Sequence, residues 1–208
     1  MKLYDCKTAP SPRRVRIFMA EKGIDIPTEQ VDLRNREHLT PAFKQINPYC
    51  TVPVLELDDG TCLCSSVGIQ RYLEECYPEP PLMGRTPEEK ARISDLQWRI
   101  ETDGFGAAAE LLRNTAPGMR GRALTGPVDY AQIPKLAERG RKRMEVFLQD
   151  FEQLAGNAKP FLCGKSFSVA DIDGMIVVDF AKRLHLEING EATRDWYETV
   201  AARPSANA

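Results

Sequence analysis

The sequence lacks any long apolar segment. No run approaches the roughly 18 consecutive apolar residues that a membrane-spanning helix needs. The first five residues, MKLYD, also lack the apolar core of a secretory signal. We therefore expect a cytoplasmic protein that has no membrane partner.

Few residues suited to metal binding are present. The chain has only two histidines, His38 and His185, and no Cys-x-x-Cys pair. Its six cysteines are scattered through a chain long enough to fold without disulfides, which predicts reduced thiols and no metal. Cys62 and Cys64 are two residues apart on a predicted strand, so they face the same side, as core or surface thiols.

Neither sign of charge dominates the composition. The chain carries 28 Lys and Arg against 30 Asp and Glu, a formal net charge of −2. This balance gives no electrostatic basis for binding nucleic acid or an anionic membrane surface. With 42% apolar residues in 208, the chain can bury a core in one large domain or two small ones.

The first part of the chain alternates strand and helix signals. Asp59-Gly60 is a strong hairpin signal between two apolar runs, which predicts an antiparallel pair. The predicted strands of this part are residues 2–6, 28–33, 53–57 and 61–64.

Two helices are predicted between and after these strands. Ser11 before Pro12 predicts an N-cap followed by a proline at the first helical position, in a helix ending near Gly23. Ser65 and Ser66 open another helix, in which one of the two hydroxyls acts as the N-cap. Its apolar positions follow the helical repeat: Ile69, Tyr72, Leu73 and Cys76.

A proline-rich segment then separates this part from one with only helical signals. Residues 78–87 contain four prolines and a glycine, so they form neither a helix nor a central strand. The sequence therefore predicts a domain over 1–77, a linker over 78–87 and a helical domain over 88–208. Within the last, Ser168 and Asp171 form a capping box before a helix that is apolar almost all round and hence central.

Four motifs carry a family resemblance over nearly the whole chain. They are the Asn-Pro and Val-Pro-Val-Leu pattern of 47–55, the Ser-x-x-Ile-x-x-Tyr-Leu of 66–73, the Phe-Ser-x-Ala-Asp-Ile of 167–172 and the Arg-Pro-Ser of 203–205. In this order and spacing the chain resembles the cytosolic glutathione S-transferases, of a bacterial, serine-type, theta-like or related class. The resemblance implies an α/β thioredoxin-like N-terminal domain and an all-α C-terminal domain.

The same resemblance implies a function. By this resemblance, the protein would be a glutathione transferase that uses glutathione as co-substrate, conjugates its thiolate to a small hydrophobic electrophile in detoxification, and forms a homodimer. Two other functions on this fold stay open. One is a glutathione-dependent isomerase, disulfide reductase or peroxidase, and the other is a non-catalytic binding protein.

Activation of glutathione requires a lowered thiol pKa, since the thiolate is the nucleophile. Ser11, at the start of the first helix, would supply a hydroxyl donor together with the helix N-terminus. Relative to Val15, the position where many serine-type transferases carry the activating serine is Ala9. Thr8 reaches this position after a one-residue shift and is therefore the second candidate for the activating hydroxyl. Arg13 and Arg14 are expected on a solvated face, although Arg13 could reach a ligand carboxylate.

The resemblance also implies the residues that bind glutathione. Pro53 would follow a cis peptide bond, and the backbone of Val52 would pair with the cysteinyl part of glutathione. Ser65 and Ser66 would present a helix N-terminus to the γ-glutamyl carboxylate. Ser65 replaces a common acidic residue and Thr51 a common Lys or Gln, so glutathione is expected to bind more weakly.

A later helix would line the second-substrate pocket. By the same resemblance, its lining residues are Trp98, Arg99, Phe105 and Leu112.

Overall fold

The computed structural model describes all 208 residues, which form two compact units. The first unit comprises residues 1–80 with 124–129 and 208, and the second comprises 81–123 and 130–207. None of the helices combines the length and the apolar composition that crossing a bilayer requires.

The first unit contains a mixed four-stranded sheet in the order β2-β1-β3-β4. Strand β1 is parallel to β2 and antiparallel to β3, and β4 is antiparallel to β3. The strands are β1 (Lys2–Asp5), β2 (Thr28–Gln30), β3 (Val54–Glu56) and β4 (Cys62–Leu63). This arrangement confirms the predicted thioredoxin-like fold of the N-terminal part.

The predicted hairpin is formed between β3 and β4. Leu55 lies opposite Leu63 in the ladder. The turn places Gly60 at φ 84°, and the Asp59 carboxylate accepts a hydrogen bond from the Thr61 N–H at 2.9 Å. Both features explain why Asp-Gly is favoured here, since glycine adopts positive φ without strain and aspartate accepts from the turn backbone.

Three helices pack with this sheet: α1 (Pro10–Lys22), α2 (Pro41–Ile46) and α3 (Ser66–Cys76). Helix α1 ends at Gly23, which adopts the left-handed conformation as expected. The predicted N-cap at Ser11 is wrong. The N-cap is Ala9, with extended backbone, and Pro10 occupies the first helical position. Ala9 before Pro10 satisfies the preference for extended backbone before a proline and for a proline in the first turn, which Ser11 before Pro12 would satisfy equally.

Helix α1 also differs from expectation on its polar face. Arg14 is buried, at 2% exposure, rather than solvated. Lys22, at the other end of the helix, is buried as well and pairs with the Glu74 carboxylate at 2.8 Å. Its ammonium also donates to the carbonyl oxygen of Tyr77 at 2.6 Å, so it binds the C-terminal end of α3.

The second unit is all-helical, which confirms the predicted fold class. A π-helical turn over Ile100–Phe105 separates α4 from α5. All ten residues of Val169–Val178 in α7 are buried, so α7 is the central helix, as expected. The helices are α4 (Pro87–Arg99), α5 (Gly106–Thr115), α6 (Pro134–Gly156), α7 (Val169–Arg183) and α8 (Glu191–Ala201).

Two buried or half-buried carboxylates organise this unit. The Asp171 carboxylate accepts hydrogen bonds from the N–H groups of Ser168, at 3.0 Å, and Leu162, at 2.8 Å, which confirms its structural capping role. Glu152, on α6, accepts from the backbone N–H and the hydroxyl of Thr193, at 2.8 and 2.6 Å. Glu152 therefore caps α8, whose own N-cap residue, Gly190, has no side chain to do so.

Candidate functional site

The N-termini of α1 and α3 are joined by hydrogen bonds. The Ser66 hydroxyl donates to the carbonyl oxygen of Ser11 at 3.0 Å. One turn further along both helices, the Gln70 side-chain amide donates to the carbonyl oxygen of Arg14 at 3.4 Å. Two helix N-termini, each with a partial positive charge, are thus held next to each other.

Ser11 is the second residue of α1 and is half-buried. The N-cap of α1 is Ala9, which makes no side-chain capping hydrogen bond, so the Ser11 hydroxyl does not serve as the cap of its own helix. Pro10 and Pro12 have no N–H, and the Ala9 N–H donates to the carbonyl oxygen of Cys6 at 3.0 Å. Of the N–H groups that a first helical turn leaves unpaired, that of Ser11 therefore remains. The hydroxyl and the N–H of Ser11 are thus two donors on one residue at the start of α1.

Thr8 lies outside the helix, in the turn between β1 and α1. Its side chain is exposed, and its Oγ1 lies 3.5 Å from the Sγ of Cys6. Because a helix N-terminus acts only within its first turn, Thr8 has less support from the helix than Ser11 has.

The peptide bond between Val52 and Pro53 is cis, as the family resemblance implied. Strand β3 begins at Val54, and neither the N–H nor the C=O of Val52 pairs with another backbone group of the chain. Unpaired backbone groups at the end of a strand accept an extended peptide as an additional strand.

Asn47 organises the loop before Val52, a role that the sequence reasoning missed. Its side chain is fully buried. Its amide Nδ2 donates to the carbonyl oxygen and the hydroxyl of Thr51, at 2.8 and 3.0 Å, and its Oδ1 accepts from the Tyr49 N–H at 2.9 Å. The only signal for this role was the Asn-Pro pair of the family pattern.

Ser65 is the N-cap of α3. Its exposed hydroxyl accepts from the Gly68 N–H at 3.1 Å. The backbone N–H groups of Ser66 and Val67 occupy the first two helical positions, where no intrahelical acceptor exists. The structure thus separates the two serines: Ser65 caps the helix, and Ser66 ties it to α1.

Of the four predicted second-substrate residues, one lines a cleft in the second unit. A cleft of about 400 Å³ in the second unit includes Arg99 in its lining, but not Trp98, Phe105 or Leu112. Trp98 is 63% exposed and Phe105 is buried. The π turn between them adds residues to one turn of the helix, so positions seven apart no longer share a face.

This cleft has an apolar floor and a charged rim. Among the floor residues are Leu96, Ile100, Phe147, Phe151 and Leu154, and the rim carries Arg92, Asp95, Arg99, Asp103 and Asp150. Cys163 also lines it, but burial and the charge of Asp171 raise the pKa of its thiol to about 11. The Cys163 thiol is therefore protonated at neutral pH and is a poor nucleophile.

All six cysteines are free in the structure. Cys62 and Cys64 pack against the cluster of Tyr4, Val31, Phe43 and Val54, so they are core thiols. The structure holds no group of three or more His, Cys, Asp or Glu side chains that could hold a metal ion.

The fold and the site define a class of protein. Its members have a thioredoxin-like unit with an unpaired strand end, followed by an all-helical unit. Residues 8–76 match the family described as the glutathione S-transferase N-terminal domain. Glutathione S-transferase 2 of Saccharomyces cerevisiae is 33% identical over 99% of this chain and 87% of its own length. The chain therefore belongs to the glutathione S-transferase family, as its motifs predicted, and is a glutathione transferase.

Two further similarities bear on the fold and on the reaction. The crystal structure of a glutathione S-transferase domain-containing protein from Marinobacter aquaeolei VT8 is 34% identical, with a TM-score of 0.89 over 99% of both chains. A maleylacetoacetate isomerase of Pseudomonas aeruginosa is 43% identical over 94 residues, which are 44% of this chain and 44% of that protein. The relatives thus include proteins named for transfer to glutathione and a protein named for isomerisation, which are distinct reactions.

Proposed function

We propose that this protein conjugates the thiolate of glutathione to a small hydrophobic electrophile. The observation that supports the proposal is the state of Ser11: its hydroxyl caps nothing, and its N–H is the remaining free donor of the first turn of α1. Both groups can donate to a thiolate. In this role Ser11 stabilises the charged form of the sulfur and lowers the pKa of the bound thiol.

The magnitudes are sufficient for activation. A free thiol has a pKa of about 8.5, and lowering it by about two units takes roughly 2.7 kcal/mol. A hydrogen bond to a charged group contributes about 1.5 to 3 kcal/mol, and a helix N-terminus adds about 0.3 to 1 kcal/mol. One hydroxyl and one helix terminus are therefore sufficient to keep the bound thiol largely ionised near neutral pH.

The remainder of glutathione fits the other parts of the site. In our proposal the free backbone groups of Val52, next to Pro53, pair with the cysteinyl residue. The first N–H groups of α3, beginning at Ser66, receive the γ-glutamyl carboxylate. Thr51 and Ser65 add hydroxyls but no charge, so the γ-glutamyl ammonium lacks a charged partner at these positions.

The test compares the two candidate hydroxyls. Ser11→Ala is expected to lower turnover with a reference electrophile about ten- to a thousandfold, from the loss of about 1.5 to 4 kcal/mol. Thr8→Val is the matched control and should retain activity. The thiolate absorbance of bound glutathione should appear below pH 8.5 with wild type and be lost with Ser11→Ala. Unchanged turnover in Ser11→Ala together with loss in Thr8→Val would assign the role to Thr8.

A glutathione-dependent isomerase is the second candidate. The local similarity to a maleylacetoacetate isomerase favours it over the disulfide reductase or peroxidase alternative. Assays of conjugation and of cis–trans isomerisation on the same preparation separate the two reactions. Saturable glutathione binding without a thiolate signal would instead identify a binding protein.

We propose further that the protein is a cytoplasmic homodimer that acts in detoxification. The cleft is lined along α4 and the π turn after it by charges of alternating sign, which we call the α4 strip: Arg92, Asp95, Arg99 and Asp103, all exposed. Against a second copy of α4 running in the opposite direction, Arg92 faces Asp103 and Asp95 faces Arg99. A parallel copy would place like charges together. This strip is thus self-complementary about a two-fold axis, and the second copy would cover the apolar floor.

A further inference from the structure

The peptide unit of Lys7 is held at both of its polar atoms. Its N–H donates to the side-chain Oε1 of Gln30 at 3.1 Å. Its carbonyl oxygen accepts from the guanidinium Nη2 of Arg16 at 3.2 Å. Lys7 lies in the turn between β1 and α1, where such contacts fix the backbone rather than the side chain.

The two side chains that hold Lys7 are themselves joined through Asp5. The Asp5 carboxylate is fully buried and accepts from Arg16 Nη1 on one oxygen at 2.6 Å, and from Gln30 Nε2 on the other at 2.5 Å. Lys7, Arg16, Asp5 and Gln30 therefore form a closed ring of four hydrogen bonds. The ring connects β1, the end of β2 and the second turn of α1.

The ring requires these particular residue types. Arginine presents two parallel donors on separate nitrogens of a rigid fork, one for a carboxylate and one for a carbonyl, whereas the donors of lysine share a single nitrogen on a flexible chain. Glutamine supplies one acceptor and one donor at the same place, whereas the negative charge of a glutamate would repel the Asp5 carboxylate. Because Asp5 compensates the charge of Arg16, the ring adds no net electrostatic field. It acts by fixing the position of the backbone.

The ring lies directly before the start of α1. The turn that follows Asp5 is closed by the Ala9 N–H donating to the carbonyl oxygen of Cys6 at 3.0 Å. Ser11 is the second residue after Ala9. Fixing Lys7 inside this turn therefore fixes the direction in which the first residues of α1 leave the sheet.

We propose that Arg16 and Gln30, acting through the buried Asp5, are positioning residues for Ser11 and thereby set the ionisation of the bound thiol. The inference rests on the proposed role of Ser11. A hydrogen bond weakens steeply as its geometry departs from the optimum, so a small displacement of Ser11 loses much of the stabilisation of a thiolate. Neither side chain needs to touch glutathione.

Gln30→Met is the principal test, because Gln30 is exposed and the buried Asp5 carboxylate keeps its ion pair with Arg16 in this variant. The pKa of the bound thiol should rise toward the free value of about 8.5, so that turnover at pH 6.5 falls about tenfold for each unit of the rise. Turnover should recover above that pKa, where the thiol ionises without help. Glutathione affinity, which depends on Val52 and α3, should change little.

Arg16→Lys is the second variant, since it keeps the charge beside Asp5 but not the forked geometry. It should raise the pKa of the bound thiol in the same direction. Gln45→Met, at an exposed glutamine of α2, is the matched control and should leave the pH profile unchanged.

The outcomes separate this inference from the proposed function. If wild type already shows no lowered thiol pKa, the role of Ser11 itself is wrong. If wild type shows it and both Gln30→Met and Arg16→Lys keep the wild-type pH profile, only the positioning role is wrong. A loss of activity that is equal at all pH values would show a merely structural ring and would also overturn the inference.

Discussion

The Ser66 hydroxyl donates a hydrogen bond to the carbonyl oxygen of Ser11 across 55 residues of sequence, at 3.0 Å. This hydrogen bond fixes the N-termini of α1 and α3 to each other. Glutathione would contact both, with its sulfur at α1 and its γ-glutamyl carboxylate at α3. The separation between the two contacts is then set by this bond.

Ser66→Ala should therefore affect both stability and binding. The buried hydroxyl is lost, which costs about 1 kcal/mol in the free energy of unfolding. Glutathione should bind more weakly because the helices are no longer fixed to each other. Urea unfolding and calorimetric titration measure the two effects. A variant with lower stability and unchanged affinity would show that the bond has no part in the site.

Ser65→Asp should strengthen glutathione binding. Aspartate is as good an N-cap as serine, so the bond from the Gly68 N–H is retained, and the new carboxylate can pair with the γ-glutamyl ammonium. We expect a gain of about 1 to 3 kcal/mol in binding free energy. Ser65→Asn, which caps equally well without charge, is the control. Equal affinity of the two variants would contradict the assignment of the ammonium to this position.

Reversing one charge of the α4 strip should dissociate the dimer. Wild type should have about twice the monomer mass of 23.4 kDa in light scattering. In Arg99→Asp, the new carboxylate would face Asp95 of the second copy at two symmetric places. The double variant Asp95→Arg with Arg99→Asp exchanges the two charges and should restore the dimer.

Lys135→Glu is the control for this experiment, because it makes the same change in net charge at an exposed residue outside the cleft. Dissociation by Lys135→Glu, or a dimeric Arg99→Asp variant, would exclude the strip as the interface. A monomeric wild type would contradict the homodimer itself.

Removal of the Glu152 charge should destabilise the protein in a pH-dependent manner. The Thr193 hydroxyl, first, and the Thr193 and Ala192 N–H groups lower the pKa of Glu152. A carboxylate whose pKa is lowered by folding contributes stability above its unfolded pKa, and the contribution is lost as pH falls through the folded pKa. Glu152→Gln should thus cost about 1 kcal/mol at pH 7 and progressively less below about pH 4.5.

Chemical unfolding at several pH values measures this difference. Glu145→Gln, an exposed glutamate on the same helix, is the control and should cost little at any pH. If the loss of unfolding free energy in Glu152→Gln stays constant down to pH 4, the negative charge of Glu152 contributes nothing to stability.

Alkylation should distinguish the cysteines of the native protein. Cys76 is exposed, whereas burial raises the pKa values of Cys62, Cys64 and Cys163, that of Cys163 to about 11. At pH 8 only about one Cys163 thiol in a thousand is ionised. Iodoacetamide should therefore label Cys76 first and Cys163 slowly, as measured by peptide mass spectrometry. Early labelling of Cys163 would contradict its burial.

The elements with strong local signals were predictable. The hairpin at Asp59-Gly60, the end of α1 at Gly23 and the capping box of α7 each depend on residues within one turn of the chain. Helix α2 has six residues, too few for a periodic pattern, and α8 takes its cap from Glu152, about forty residues earlier. Neither helix has a complete local signature, and neither was predicted.

The site was predictable where the family pattern names residues, and not where it depends on long-range contacts. The cis peptide bond at Pro53 followed from the pattern. The start of α1 was misplaced because Ala9-Pro10 and Ser11-Pro12 are both typical of a helix start. Only the packed structure decides between them. The ring through Asp5 and the π turn before Gly106 are set by tertiary contacts, which no local pattern indicates.

Prolines on both sides of Ser11 leave the site without redundancy. In an ordinary first turn several backbone donors share an anion, so the loss of one is partly compensated by its neighbours. Here Pro10 and Pro12 remove those neighbours, and in the role we propose, the side chain and main chain of Ser11 alone would bind the thiolate. Replacing Pro12 by a residue with an N–H would add an independent donor, which makes it a natural position at which to engineer tolerance to changes at Ser11.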